Sequence, residues 1–140
     1  MTDSSKKTGG CQCGAVRYEL QGDPAELYVC HCRECQAQSA SAFGISVIYP
    51  ASALTVVSGE TRCWSRPAAK RGRLDCHFCA ECGSRMWHGD SNGDVPISVK
   101  GGSLDTKPDL TGARHIWVSR KLDGVVIPPD AETWPEEPER

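Results

Sequence analysis

Apolar and polar positions alternate along this chain in short runs, and no long stretch follows a helical period. Val16-Arg17-Tyr18-Glu19-Leu20 alternates with period two, as a strand with one buried face does. Gly22-Asp23-Pro24 ends it, and Leu27-Tyr28-Val29 predicts a second strand. Glu34 to Ser41 lacks that alternation and predicts one short helix. Phe43 to Tyr49 is rich in β-formers and is stopped by Pro50. Leu54 to Val57 and Thr61 to Ser65 predict two more strands, and the Ser58-Gly59-Glu60 spacer predicts that they form a hairpin. Leu74 to Phe78 leads into Cys79, and strands at Met86 to His88, Pro96 to Val99 and His115 to Val118 complete the set. Turn signals at Ser91-Asn92-Gly93-Asp94 and Gly101-Gly102 separate the later ones. Short strands punctuated by glycine predict a mainly β domain of short antiparallel strands with little helix.

Composition narrows the class. With 140 residues the chain fits one domain with its own core, and 39% hydrophobic residues is a soluble globular content. Residues 1–8 are expected to form a flexible tail, 9–128 the domain, and the acidic, proline-rich 129–140 a strap or a disordered end. A net charge of -2 and a pI near 6.1 oppose a nucleic-acid partner, which demands a concentrated basic surface. Met1 to Gly10 is polar and lacks the apolar core of a signal peptide, and no apolar run reaches bilayer length. The expected location is the cytoplasm, with no membrane partner.

Nine cysteines demand an explanation in such a chain. An odd count in a reducing compartment argues against a disulfide framework. Seven of them fall into three tight groups: Cys11-x-Cys13, Cys30-x-Cys32-x-x-Cys35 and Cys79-x-x-Cys82. Thiolates are soft ligands that suit zinc. A C-x-C step on an extended segment puts two sulfurs on one face, and the following x-x-C needs a turn to bring the third back. Cys79-Ala80-Glu81-Cys82-Gly83 has the form of a zinc knuckle, and Cys11-Gln12-Cys13-Gly14 supplies a second pair followed by glycine. The simplest partition joins these two pairs in a closed four-cysteine site and leaves Cys30, Cys32 and Cys35 as a site with one open position. A competing partition pairs Cys32 and Cys35 with Cys79 and Cys82 as a zinc ribbon, stranding Cys11 and Cys13. A zinc deaminase is excluded because H-x-E is missing, Glu34 lying one residue too far from His31. A two-histidine finger is excluded by the spread of His77, His88 and His115.

The motifs together carry a resemblance. Gly10-Cys11-Gln12-Cys13-Gly14-Ala15-Val16-Arg17-Tyr18, Cys30-His31-Cys32-Arg33-Glu34-Cys35-Gln36 and Phe78-Cys79-Ala80-Glu81-Cys82-Gly83-Ser84 come in that order. Gly102-Ser103-Leu104-Asp105 and His115-Ile116-Trp117 follow. The chain resembles the glutathione-dependent formaldehyde-activating family, also called the GFA or CENP-V/GFA domain, over residues 9 to 128. The resemblance implies a Mss4-like, mainly β fold with two zinc ions per chain. It implies a structural zinc on Cys11, Cys13, Cys79 and Cys82, and a catalytic zinc on Cys30, Cys32 and Cys35. The implied activity is that of a carbon-sulfur lyase, an S-(hydroxymethyl)glutathione synthase joining the thiol of glutathione to formaldehyde. Many relatives carry glycine where this chain has Ala40, and Pro-Trp where it has Asp123-Gly124. The alternative function is a non-catalytic Mss4-like zinc module or glutathione carrier.

Other residues carry expectations of their own. His31, between two ligands on a strand, points away from the metal into packing or a supporting role. Cys63 and Cys76 are expected to be small buried hydrophobes. Lys70, Arg71 and Arg73 form a basic loop that is either solvated or meets the carboxylates of glutathione. Trp64, Trp87 and Trp117 are expected in the core. Arg33 and Glu34 flank the ligands.

Overall fold

The structure is a computed structural model and describes residues 6–68, 72–90 and 96–138. The expected turn at Ser91 to Asp94, and Lys70 and Arg71 of the basic loop, lie outside the described residues. Among the described residues, ten short strands and one α-helix make the fold mainly β. The chain divides into two compact units: residues 1–26 with 47–108, and residues 27–46 with 109–140.

In the first unit, β1 (Lys7–Gly10), β2 (Arg17–Leu20) and β5 (Leu54–Ser58) form an antiparallel sheet in the order β1-β2-β5. Strands β6 (Thr61–Pro67), β7 (Arg73–Cys79), β8 (Arg85–Asp90) and β9 (Ile97–Lys100) pair antiparallel in succession. The alternation of β2 explains its place. Tyr18 and Leu20 are buried while Arg17 and Glu19 are half-buried, so the period-two pattern settles the facing of the strand. Val16, Tyr49, Met86 and Val99 share that core, and Tyr18 meets Trp87 edge-to-face with ring centroids 6.1 Å apart.

The expected hairpin between β5 and β6 does not form. Leu54 to Ser58 pairs with β2, and Thr61 to Pro67 pairs with β7, so consecutive strands enter different sheets. Gly59 makes the exit. Its φ is +87°, and a Cβ there would stand 2.2 Å from the carbonyl oxygen of Ala15, a contact only glycine avoids. Two side chains expected inside are outside. On β6, Cys63 is exposed and Trp64 is 51% exposed, because among the described residues no second layer covers either face at the middle of this strand. Cys76 and Trp87 are buried as expected.

In the second unit, β3 (Glu26–Cys30) is followed by α1 (Arg33–Ser39), and β4 (Gly44–Tyr49) then carries the chain back into the first unit. β10 (Arg114–Ile116) pairs parallel with β3 through Arg114↔Tyr28, His115↔Val29 and Ile116↔Cys30. The expected strand at His115 to Val118 ends early. Trp117 takes a left-handed conformation (φ 57°), and Val118–Arg120 forms a single 3-10 turn. Residues 132–136 then lie along β10 as an extended strap. His115 N donates to Glu132 O (2.9 Å), Trp134 N to His115 O (2.9 Å) and Trp117 N to Glu136 O (3.2 Å). The Trp117 indole N–H donates to Glu137 (3.0 Å), which leaves this tryptophan half-buried at the strap rather than in the core. No helix among the described residues is long and apolar enough to cross a membrane.

Candidate metal centres

The first unit brings together Cys11, Cys13, Cys79 and Cys82, whose sulfurs all lie within 4.8 Å of one another. Two knuckles of the same build supply them. After Cys11 the chain turns so that Gly14 N donates to Cys11 O (3.2 Å) and Val16 N to Cys11 Sγ (3.2 Å). After Cys79, Gly83 N donates to Cys79 O (3.0 Å), and Glu81 N and Cys82 N approach Cys79 Sγ at 3.3 and 3.4 Å. Gly14 and Gly83 both have φ near +80°, which closes each turn. Ser84 links the two, because its hydroxyl accepts from Gln12 N (3.0 Å) and lies 3.2 Å from Cys82 Sγ. The Ser84 hydroxyl and amide draw the Cys82 thiol down to about 5, well inside the thiolate range at neutral pH. Four sulfurs around a zinc ion at about 2.3 Å stand about 3.8 Å apart along the tetrahedral edges. Cys11 and Cys13 are 3.6 Å apart, and Cys13 and Cys79 are 3.8 Å apart. The donor set and the spacing both fit zinc.

The second unit brings together Cys30, Cys32 and Cys35. Cys30 ends β3, Cys32 caps the amino end of α1, and Cys35 sits in the helix's first turn. The cap sets the geometry. Cys32 is extended (φ -67°, ψ 159°), and its Sγ accepts from Cys35 N at 3.3 Å, so the turn needed after C-x-C is the helix start itself. Three thiols this close split their acidities. Hydrogen bonds from Cys30 and Cys35 lower Cys32 to about 2, and the same bonds, together with burial, push Cys30 strongly up. A thiolate therefore forms easily at Cys32, and a cation is needed to draw out the Cys30 proton. No fourth His, Cys, Asp or Glu joins the group among the described residues.

The peptide between the ligands is braced from behind. Gln36 Nε2 donates to both His31 O (2.8 Å) and Arg120 O (2.9 Å), and His31 N donates to Ile116 O (3.0 Å). The His31 side chain turns away from the sulfurs, as expected, and is fully buried. It stacks on His115 (centroids 5.3 Å apart) with Nε2 3.0 Å from His115 Nδ1, and it meets the edge of Phe43. Burial, then the neighbouring His115 and Lys121, hold His31 below its usual pKa. On the helix side, a Cβ on Gly44 would stand 3.1 Å from Cys35 Cβ, 3.1 Å from Gln38 Nε2 and 3.3 Å from Cys35 Sγ.

The other candidates play no part in either cluster. Arg73 spends its guanidinium on Ser65 O (2.8 Å). Arg33 and Glu34 are exposed on the first turn of α1. Cys76 is buried, which raises its thiol. Sequence reasoning assigned no role to Ser84 or to the Gln36 amide, since a hydrogen bond to the backbone of a distant residue leaves no spacing pattern. Gln38 carried a signal that was open to reading: it lies three residues after Cys35, on the same face of a short helix.

Comparison with known proteins agrees with this arrangement. The profile of the glutathione-dependent formaldehyde-activating enzyme family matches residues 6–120. A crystal structure of a Rhodobacter sphaeroides protein superposes with a TM-score of 0.53 at 22% identity, covering 91% of this chain and 98% of that one; the likeness is one of fold. With the four-cysteine and three-cysteine groups each falling inside the matched region, the chain belongs to the glutathione-dependent formaldehyde-activating enzyme family.

Proposed function

We propose that the protein is a zinc-dependent carbon-sulfur lyase that joins glutathione to formaldehyde, giving the S-hydroxymethyl adduct. Two zinc ions per chain are assigned, one structural on Cys11, Cys13, Cys79 and Cys82, and one catalytic on Cys30, Cys32 and Cys35. The observation that carries the reading is the three-thiol group, which offers a tetrahedral ion three ligands and leaves one corner for a substrate.

Zinc bound there would supply a positive centre that favours the thiolate form of an incoming thiol. The chain's own residues decide what that thiolate is good for. Three cysteine thiolates outweigh a dication by one negative charge, so the group is a poor activator of water and a good home for a sulfur that stays nucleophilic. The sulfur lone pair forms the new S–C bond, the carbonyl π pair moves to oxygen, and the proton released by the thiol ends on that oxygen. The Cys32 cap and the Gln36 brace hold the three sulfurs on rigid backbone, so the approach of the aldehyde meets a preformed site. We assign the protein to the cytoplasm, where glutathione is plentiful and clustered thiols stay reduced.

The test is the rate of adduct formation, followed by NMR of the hydroxymethyl signal, above the spontaneous reaction. Wild type should accelerate it, and Cys32→Ser should not while keeping its fold by circular dichroism. A wild-type rate equal to the uncatalysed one with every thiol tried would overturn the enzyme reading. Calorimetric binding of glutathione without any turnover would select the carrier.

A further inference from the structure

Gly44 and Gln38 are the two residues beside Cys35 that the metal chemistry leaves unexplained. Gly44 begins β4 and has no positive φ, so no turn demands a glycine there. What demands it is proximity, because a methyl group would press on Cys35 Cβ, Cys35 Sγ and Gln38 Nε2 at once. Contacts of 3.1 to 3.3 Å are tight enough that a Cβ would displace the Cys35 and Gln38 side chains by a few tenths of an ångström. Cys35 Sγ and the Gln38 amide nitrogen therefore flank one methyl-sized point from two sides. The helix builds this pair, since residues three apart share a face.

The Gln38 amide is also uncommitted. It has no hydrogen-bond partner among the described residues and is half-buried, whereas its neighbours are in use: Gln36 bridges two carbonyls, and Ser39 Oγ donates to Cys35 O (2.7 Å). The nitrogen end of the Gln38 amide is the end turned to the point beside Cys35 Sγ. Cys35 N is already given to Cys32 Sγ. Addition of a sulfur to an aldehyde places negative charge on an oxygen one carbon away from that sulfur. A donor is needed there, uncharged so that it does not compete with the bound ion, and fixed so that it need not reorganise.

We propose that Gln38 is a catalytic residue, its side-chain N–H holding the oxygen of the aldehyde carbon as the S–C bond forms, in a space that Gly44 keeps clear. The donor gives a hydrogen bond and not a proton; the proton on the product oxygen is the one released by the thiol. This rests on the lyase reading above, and the test separates the two.

The cobalt-loaded protein is titrated with two pairs of ligands, each followed by the sulfur-to-cobalt charge-transfer band or by its displacement. The first pair is 2-mercaptoethanol and 1-propanethiol, alike in size and differing in one hydroxyl. The second is S-(2-hydroxyethyl)glutathione and S-propylglutathione. Wild type should prefer the hydroxyl member by about five- to tenfold, as one neutral hydrogen bond gives, and Gln38→Leu should bind both members alike. In turnover, Gln38→Ala should lower kcat about a hundredfold with little change in KM for the thiol. Gln38→Glu, the same shape with no donor, should be no better, and Gly44→Ala should mimic Gln38→Ala. If the small-thiol preference is present in wild type and lost in Gln38→Leu while neither glutathione ligand binds, the glutathione reading falls and the role of Gln38 stands. If the hydroxyl preference is absent in wild type, or survives in Gln38→Leu, the proposal is overturned. A variant that loses cobalt affinity with unchanged hydroxyl preference also overturns it, since that marks a merely structural side chain.

Discussion

Acid should destabilise this protein through one buried histidine more than through its surface. His88 lies on β8, 3% exposed, opposite Cys76 on one side and Ser98 on the other. Arg85 Nη1 donates to its Nε2 at 3.3 Å, so the ring is neutral with its proton on Nδ1. Burial, then the positive charges of Lys100, Arg85 and Arg66 and the nearby His77, lowers its pKa from 6.5 to about 2. In the unfolded chain it returns to about 6.5. The folded pKa lies below the unfolded one, so the stability it contributes is complete above about pH 6.5 and is lost as pH falls toward 2, while the unfolded chain takes up the proton. Between pH 7.5 and 5 the loss is about 2 kcal/mol, at roughly 1.4 kcal/mol per pH unit below the unfolded pKa. That figure depends only on the folded value lying well below 5. The assay is urea unfolding at both pH values, with metal saturating, of wild type and of His88→Gln, which keeps an acceptor for Arg85. Thiolate protonation weakens metal binding equally in both, so it cancels in the difference. The variant should lose about 2 kcal/mol less than wild type over this interval. An identical pH dependence in the two proteins would refute the assignment of a neutral, unprotonatable ring.

Four further outcomes follow from the structure. Ala40→Gly should stabilise the protein by about 1 kcal/mol in denaturant melts without changing activity, because Ala40 closes α1 in a left-handed conformation (φ 52°) that glycine adopts freely. Gly59→Ala should cost at least about 2 kcal/mol and weaken metal binding at the four-cysteine group, since the new Cβ strikes the backbone of Ala15 and Val16 behind the Cys11 knuckle. Chelator added to fully loaded protein should remove one metal ion quickly and the second slowly, with Cys32→Ser abolishing the fast phase and Cys79→Ser the slow one. Asp105→Asn should cost under about 1 kcal/mol at neutral pH, as befits a half-exposed carboxylate. Bonds from Arg17 and Thr8 hold Asp105 below the usual carboxylate range, so its contribution is complete at neutral pH and is lost as pH falls through that lowered value.

The two cysteine clusters were legible because such clusters are local chemistry with local spacing. Cys30 to Cys35 are a strand end, a helix cap and a first turn, all within six residues, and each knuckle is written as two cysteines and a glycine. Strands whose facing is fixed by alternation, such as Val16 to Leu20, were legible for the same reason. Pairing was not. Leu54 to Val57 and Thr61 to Ser65 look like a hairpin because the spacer is short, yet β5 finds a partner 38 positions earlier, at Tyr18↔Val56 among others, and β6 finds its own later. The choice is made by contacts that no local pattern records. The exposure of Cys63 and Trp64 was not legible either, since whether a second layer covers β6 is decided by the packing of distant segments. Trp117 was misplaced in the core because its left-handed backbone and its bond to Glu137 depend on a strap twenty residues downstream.

Each cysteine group lies wholly within one of the two compact units, but the cysteines of one lie within five positions of one another and those of the other join positions sixty-six apart. Closing the longer loop costs about 2 kcal/mol more chain entropy than closing the shorter. If both groups take zinc as proposed, the Cys30 to Cys35 group can capture its ion during synthesis as soon as those six residues have emerged. The Cys11 group must wait until Cys79 and Cys82 have been made, so its ion would report that the first unit has folded. One ion would then act early, as a local nucleus, and the other late, as a latch.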